Sequence, residues 1–252
     1  MLVFVYDQSF EGLLTVIFEA FRQKVFPEIL AGRDDDLPLL ASRVIEVETD
    51  QEKADRVWTG LEKKLSAIAL KQVLYAWLTE EAAGAELVVR YVRAIYAGVR
   101  ETNFSHPDVL GLRQAAFKIS REKEHMLQFV RFQKTVDGVY FAAVNPLYNV
   151  VPLVLDHFAD RFADQKWVIY DLNRGYGFYY DLESLKEIDF FKPVDGRTGR
   201  LSESELAEGE ILLQEAWQAY FTAVSIPERV NPRLQRQYMP KRFWPYLTEK
   251  QK

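Results

Sequence analysis

The residues best suited to bind a ligand are the cations and aromatic rings of the C-terminal segment, residues 229–252. Between Arg229 and Leu247, basic and aromatic residues are interleaved and no acidic residue interrupts them. Guanidinium and ammonium groups neutralise phosphates, and aromatic rings stack on unpaired bases. The pattern therefore predicts a nucleic-acid contact made by these residues: Arg229, Asn231, Arg233, Arg236, Tyr238, Lys241, Arg242 and Trp244.

The charge of the chain changes sharply at this segment. Residues 229–252 carry seven basic residues and one acidic residue, whereas the first 228 residues carry 25 basic and 36 acidic residues. A positive segment of this kind is attracted to a phosphate backbone, to an acidic partner protein, or to the acidic remainder of its own chain. In the last case, Phe243 and Trp244 would pack the segment against the protein. The overall charge of −5 favours a local binding patch over a general coat for DNA.

A second group of polar residues is predicted at the ends of strands and helices in the middle of the chain. Arg131, Arg161 and Arg174 are suited to grip a phosphate with paired hydrogen bonds. The alternative is an internal ion-pair network, for example between Arg161 and Asp171. The sequence leaves both interpretations open.

Two histidines are the candidate general acids or bases. His157 and His125 lie near predicted element ends, and Asp171 would orient either ring if it lay within hydrogen-bond reach. A structural role is the alternative for each histidine. The three histidines of the chain are far apart in sequence and form no metal-ligand motif, so we predict no metal site.

The composition excludes several classes of chemistry. A chain without cysteine has no disulfide, no thiol nucleophile and no cysteine-ligated zinc or iron–sulfur cluster of its own. The sequence also lacks a phosphate-binding P-loop, a dinucleotide-binding glycine motif and the serine elbow of hydrolases. We therefore predict no cofactor.

The sequence contains no signal for a membrane. No apolar stretch approaches the roughly 20 residues that a spanning helix needs. The apolar N-terminus lacks the basic region and the cleavage site of a signal peptide. These observations predict a cytoplasmic protein without a membrane contact.

The apolar spacing predicts an α+β fold with a mostly helical N-terminal half. A short buried strand at Leu2–Tyr6 precedes a helix that begins near Phe10, and a second strand is predicted at residues 43–47. Further helices are predicted at residues 49–65, 66–78, 80–98 and 109–124.

Residues 125–200 are predicted to be rich in β-structure. Asp137-Gly138 is a strong hairpin signal between strands at 126–135 and 139–144. A helix at 150–162 and a second hairpin complete a hairpin–helix–hairpin (ββαββ) unit. The strands of that second hairpin are predicted at 166–172 and 176–182, with an edge strand at 185–190.

The domain prediction is one α+β body followed by a tail. The body spans residues 1–228, with possible lobes at 1–124 and 125–200 and a helix at 202–224. The basic aromatic tail spans residues 229–252. Four prolines predict that this end of the chain is largely non-helical: Pro227, Pro232, Pro240 and Pro245.

Several short motifs together resemble one protein family. They are Val5-Tyr6-Asp7-x-Ser9-Phe10, Phe129-Val130-Arg131-Phe132, His157-Phe158-x-x-Arg161-Phe162, Trp167-x-Ile169-x-Asp171 and Met239-Pro240-x-Arg242-x-Trp244. With these motifs, the chain resembles the bacterial "probable DNA metabolism protein" family, DUF4130, nearly from end to end. One departure is Gln8, which stands at a turn position where the family pattern would have glycine.

The resemblance implies a role in DNA repair or modification and a companion, a radical-SAM protein. Some similar proteins carry a uracil-DNA-glycosylase-type domain after this region. Since the present sequence stops at Lys252, we do not expect glycosylase chemistry from it. The family offers no assigned catalytic residues to transfer. The absence of cysteine fits a system in which another chain supplies the iron–sulfur chemistry.

The sequence therefore predicts one function and leaves two alternatives open. The first is a nucleic-acid-binding accessory protein in DNA repair or modification that acts with the radical-SAM partner. The second is an enzyme that acts on a nucleotide or DNA with a histidine–aspartate pair. The third is a protein–protein adaptor without nucleic-acid contact.

Overall fold

Two units divide the chain, Met1–Arg121 and Glu122–Lys252. The structure is a computed structural model that describes residues 1–39, 41–189 and 194–251. Both units combine helices with a sheet, so the prediction of an α+β fold is confirmed. The C-terminal segment belongs to the second unit.

A three-stranded parallel sheet forms the first unit together with helices. Strand β1 (Leu2–Tyr6) lies between β2 (Ile29–Gly32) and β3 (Arg43–Glu46). Strand β1 is apolar throughout because it is buried on both faces. Strand β2 was not predicted, because its four residues are too few to show a periodicity.

Three helices of the first unit begin at a residue whose side chain caps the helix. The side chains of Ser9, Asp50 and Ser66 each accept a hydrogen bond from a backbone N–H of the first helical turn. The helices are α1 (Phe10–Gln23), α2 (Gln51–Glu62), α3 (Ala67–Trp77) and α4 (Ala82–Tyr96). Apolar residues from β1 and these helices form one buried core that includes Phe4, Leu13, Leu61, Val73 and Val88.

Helix α5 (Pro107–Phe129) is longer than predicted and crosses from the first unit into the second. The prediction of a strand over residues 126–135 is therefore wrong in its first part. Met126 and Phe129 are buried, and they follow Leu112 and Ile119 at intervals of seven and three residues on one helical face. Of the predicted strand, β4 (Gln133–Lys134) remains.

A five-stranded sheet forms in the second unit, in the order β4-β5-β6-β7-β8. Strands β5 (Tyr140–Val144) and β6 (Trp167–Asp171) are parallel, whereas the other neighbouring pairs are antiparallel. Helix α6 (Leu155–Arg161) lies in the connection between β5 and β6, as a parallel crossover requires.

The two predicted hairpins are present in this sheet. Asp137-Gly138 joins β4 to β5, and Gly138 adopts the positive φ that the turn needs. Strand β7 (Tyr176–Tyr180) pairs with β6, and β8 (Leu185–Ile188) forms the edge. Phe190, the last residue of the predicted edge strand, lies outside the described residues.

The C-terminal region is more helical than predicted. Helix α7 (Glu210–Ala223) begins eight residues later than the predicted start at 202, after Gly209 with a positive φ. Helix α8 (Pro232–Tyr238) and 3-10 helices at Lys241–Tyr246 and Thr248–Lys250 follow, so the prediction of a largely non-helical tail is wrong. Pro232 lies in the first turn of α8, where its missing N–H costs no helical hydrogen bond.

The helices of the described ranges include none with the length and apolar character to span a membrane.

Candidate nucleic-acid-binding site

The C-terminal segment consists of an exposed part and a docked part. Residues 229–238 are exposed almost throughout. Residues 240–251 pack on the rest of the second unit, where Phe243 is 4% exposed and Leu247 is fully buried. One alternative that the sequence leaves open is that the segment packs on its own protein. This applies to the second part only.

Arg242 anchors the docked part. Its guanidinium hydrogen-bonds to the carboxylate of Glu122, whose side chain is buried. The other oxygen of Glu122 accepts the backbone N–H of Leu147 at 2.8 Å. Arg242 was predicted as a phosphate contact, and the structure places this side chain in an internal ion pair.

Arg131 makes a second internal ion pair. Its Nη2 lies 2.9 Å from Oε1 of Glu249, a side chain that is 2% exposed. Oε2 of Glu249 accepts the indole N–H of Trp217 at 3.1 Å. Burial alone would raise the pKa of Glu249, but the hydrogen bonds, led by that from Arg131, outweigh it and hold this pKa below its ordinary value.

A cavity with a volume of about 380 Å³ lies on the docked part. We call it the Trp244 pocket. Its lining residues are Thr198, Arg200, Lys241, Trp244, Pro245, Lys250 and Gln251, which include three cations and no carboxylate.

The Trp244 pocket joins positive charge to an aromatic surface. Nζ of Lys250 lies 5.3 Å from the centroid of the Trp244 ring, and Nζ of Lys241 lies 5.9 Å from it. The indole N–H of Trp244 donates to the carbonyl oxygen of Met239 at 3.0 Å, which fixes the ring. Nε of Arg200 donates to Oε1 of Gln251 at 2.5 Å and leaves its other guanidinium nitrogens for further contacts. The chemistry suits an anionic, partly aromatic ligand.

The exposed part adds further cations. Arg233 and Arg236 are three residues apart on α8 and therefore share a face of that helix. Arg229 and Tyr238 are also exposed. Asn231 accepts the N–H of Leu234 at 3.0 Å as the cap of α8, so its side-chain oxygen has a structural role.

Asp171 and Arg174 form the internal network of the middle region. Oδ2 of Asp171 lies 2.8 Å from Nη1 of Arg174, and its Oδ1 accepts the backbone N–H of Asn173 at 3.0 Å. Burial raises the pKa of Asp171 even though Arg174 favours the ionised form. The suggested pairing of Arg161 with Asp171 is wrong, because Asp171 pairs with Arg174. Arg161 is exposed, and its guanidinium carbon lies 5.7 Å from the ring centroid of Phe162.

The two candidate histidines lie in different surroundings. His157 is exposed on α6, beside Phe158. His125 is buried, 5.7 Å from the ring of Phe129 and 5.3 Å from that of Phe243. Asp171 contacts Arg174 and the backbone of the hairpin. None of its described contacts is with His157 or His125. Within the described ranges, no three His, Cys, Asp or Glu side chains are grouped to hold a metal ion.

Comparison with known families gives one match over most of the chain. The model of the family DUF4130, described as a domain of unknown function, matches residues 82–249. The chain belongs to the DUF4130 family. Among curated proteins, no significant match was found.

The DUF4130 match includes both internal ion pairs of the C-terminal segment, Arg242 with Glu122 and Arg131 with Glu249. It also includes five of the seven residues that line the Trp244 pocket, whereas Lys250 and Gln251 lie just beyond it. The parallel sheet of the first unit lies before the matched residues. The family assignment therefore rests on the part of the chain that holds most of the candidate site.

Part of the candidate site could be predicted from the sequence. Lys241 and Trp244 were named, since they belong to the basic aromatic pattern. Lys250 had the same signal but was not named. Arg200 and Thr198 come from a loop far earlier in the sequence, and no pattern there indicated a site.

Proposed function

We propose that this DUF4130 protein binds nucleic acid and acts as an accessory protein in DNA repair or modification. The observation that carries the proposal is the Trp244 pocket, in which Lys241, Lys250 and Arg200 surround an indole ring. A volume of about 380 Å³ falls in the range of sites for small ligands, the size of a nucleotide. The pocket thus suits a phosphate and its neighbouring base.

Each group in the pocket has a role in this proposal. The ammonium groups of Lys241 and Lys250 and the guanidinium of Arg200 bind phosphate oxygens. Trp244 offers a face on which an unpaired base stacks, a contact that tolerates any sequence. Lys241 and Lys250 then neutralise phosphate while staying beside the ring.

The exposed part of the segment extends the contact along the backbone of the nucleic acid. Arg229, Arg233 and Arg236 add positive charge next to the docked part. Exposed cations of this kind attract a polyanion over a distance of about 10 Å at ordinary salt. They give affinity without sequence preference.

The proposal includes a second protein, a radical-SAM companion. The family resemblance implies this partner, and the chain itself has no cysteine to ligate an iron–sulfur cluster. We assign the radical chemistry to the companion in the cytoplasm and the binding of DNA to this chain.

The test is fluorescence anisotropy with labelled single- and double-stranded DNA of mixed sequence over a salt series. We expect the logarithm of the binding constant to fall linearly with the logarithm of the salt concentration. If protein that circular dichroism shows to be folded does not bind DNA at low salt, the proposal is wrong. The adaptor function would then be favoured.

A further inference from the structure

Helix α7 (Glu210–Ala223) turns its polar side toward the protein and its apolar side toward solvent. Gln218 donates a hydrogen bond to the carbonyl of Thr248 at 2.9 Å, and Gln214 donates to the buried Glu210 at 3.0 Å. On the opposite side, four large apolar residues are 68, 66, 58 and 54% exposed: Leu212, Leu213, Tyr220 and Val224. An ordinary surface helix has the reverse arrangement.

The exposed side of α7 forms one uninterrupted apolar face. At 100° per residue, the outer half of the helix carries no polar side chain. We call this surface the α7 face: Leu212, Leu213, Ala216, Trp217, Ala219, Tyr220, Ala223 and Val224. Continuous exposed apolar surface marks an interaction site more often than a free surface.

Two aromatic rings give the α7 face a fixed centre. The rings of Trp217 and Tyr220 stack with their centroids 5.7 Å apart at an angle of 29°. The indole N–H of Trp217 is held by Glu249, so this ring is positioned before any partner arrives. Fixed aromatic residues at the centre of a surface are typical of the strongest contacts in protein interfaces.

The sizes of the residues indicate which partner fits. Along the middle of the α7 face, Leu213, Ala216, Tyr220 and Ala223 alternate large and small at spacings of three, four and three. If a second α7 helix runs antiparallel with a two-fold axis at the level of residue 218, Tyr220 lies opposite Ala216 of the other copy. In the same register, Leu213 lies opposite Ala223. A parallel pair would instead place large residues opposite large ones and small opposite small.

The residues beside this middle line match in the same register. Trp217 lies opposite Ala219 of the second copy, and Leu212 lies opposite Val224. The reversed helix is therefore the steric complement of the helix itself, which is what an isologous two-fold interface requires.

The charges along α7 favour the same direction. Glu208, two residues before α7, and Glu215 in its first half are exposed, and the helix has no basic residue. The segment after its C-terminal end carries Arg229, Arg233 and Arg236 against one acidic residue, Glu228. An antiparallel pair brings the acidic end of one copy toward the end of the other copy that leads into this basic segment.

We propose that the α7 face is the interface between two copies of this chain, which pair their α7 helices antiparallel across a two-fold axis. The proposal is independent of nucleic-acid binding, because the α7 face shares no residue with the Trp244 pocket.

The first test measures the mass of the protein by sedimentation equilibrium across micromolar concentrations. We expect a dimer for the natural chain and at least tenfold weaker association for Leu213→Glu, which places two charges in the interface. The control is Ile68→Glu on α3, a similarly exposed aliphatic residue outside the α7 face, which keeps the dimer. A monomeric natural protein, or a dimer that Leu213→Glu does not weaken, would overturn the proposal.

The second test exchanges residues that the register pairs. Ala216→Tyr alone overfills the contact and Tyr220→Ala alone empties it, so each weakens the dimer. The double variant restores it, because a tyrosine again faces an alanine across the axis. This variant keeps the composition of the face, and it decides the matter even if Leu213→Glu impairs folding. A double variant that associates no better than the two single variants would contradict the antiparallel register.

Discussion

Arg242, ten residues before the C-terminus, forms an ion pair with the buried carboxylate of Glu122, the first residue of the second unit. This pair attaches the end of the chain to helix α5. Arg131 and Glu249 make a second attachment. Together they hold the 3-10 helix that carries Lys241 and Trp244, so the Trp244 pocket exists only while the segment is docked.

Removal of Arg242 tests this anchor. Arg242→Ala leaves the carboxylate of Glu122 buried without its cationic partner, and we expect the free energy of unfolding to fall by about 3 kcal/mol. Urea denaturation followed by circular dichroism measures the change. Arg161→Ala removes an exposed arginine from the same unit and should cost less than about 0.5 kcal/mol. Equal losses in the two variants would show that the ion pair does not anchor the segment.

Glu249 makes the stability of the docked segment depend on pH. Because its pKa is lowered in the folded protein, the carboxylate stabilises the fold above its ordinary pKa of 4.5. That stabilisation is lost as the pH falls through the lower, folded value. We expect the Tm of the natural protein to drop more steeply below pH 4.5 than the Tm of Glu249→Gln. Parallel Tm curves in scanning calorimetry would contradict this role, and the exposed Glu124→Gln is the control.

A substitution of Asp171 tests whether this carboxylate has a structural role. Asp171→Asn removes the negative charge that faces the largely buried Arg174, and we expect a loss of about 3 kcal/mol in the free energy of unfolding. Asp164→Asn, at an exposed site near the same sheet, should be nearly neutral. Urea denaturation compares the two. Unchanged stability in Asp171→Asn would contradict this structural role.

Much of the fold could be predicted because local signals agreed with the tertiary structure. Ser9 and Ser66 cap helices, and Asp137-Gly138 forms a hairpin, each through contacts with its sequence neighbours. Gln8 adopts a φ of 62°, a left-handed conformation that glycine adopts without strain, so glycine would suit this turn position.

The errors arose where a signal had two physical meanings. Met126 and Phe129 belong to residue types that suit a strand, but their spacing continued the buried face of α5. Pro232 was interpreted as a helix breaker, although in a first turn proline favours the helix.

Only part of the candidate site could be predicted from the sequence, for a related reason. Trp244 and Lys241 are close in sequence, whereas Arg200 reaches the pocket from a distant loop through its bond with Gln251. Side-chain hydrogen bonds between distant segments leave no periodic pattern. For the same reason, the sequence named Arg242 and Arg131 as cations but not Glu122 and Glu249 as their partners.

The most direct test of the central claim removes the two lysines beside Trp244. Lys241→Gln with Lys250→Gln is compared with Lys63→Gln and Lys118→Gln, exposed lysines of the first unit, so that both variants have the same net charge. DNA binding is measured by anisotropy over a salt series, after circular dichroism has shown both variants folded. The account predicts that the pocket variant alone weakens binding and reduces the slope of log K against log salt by about 2. Equal effects of the two variants would contradict it, since the nucleic acid would then respond to net charge rather than to the Trp244 pocket.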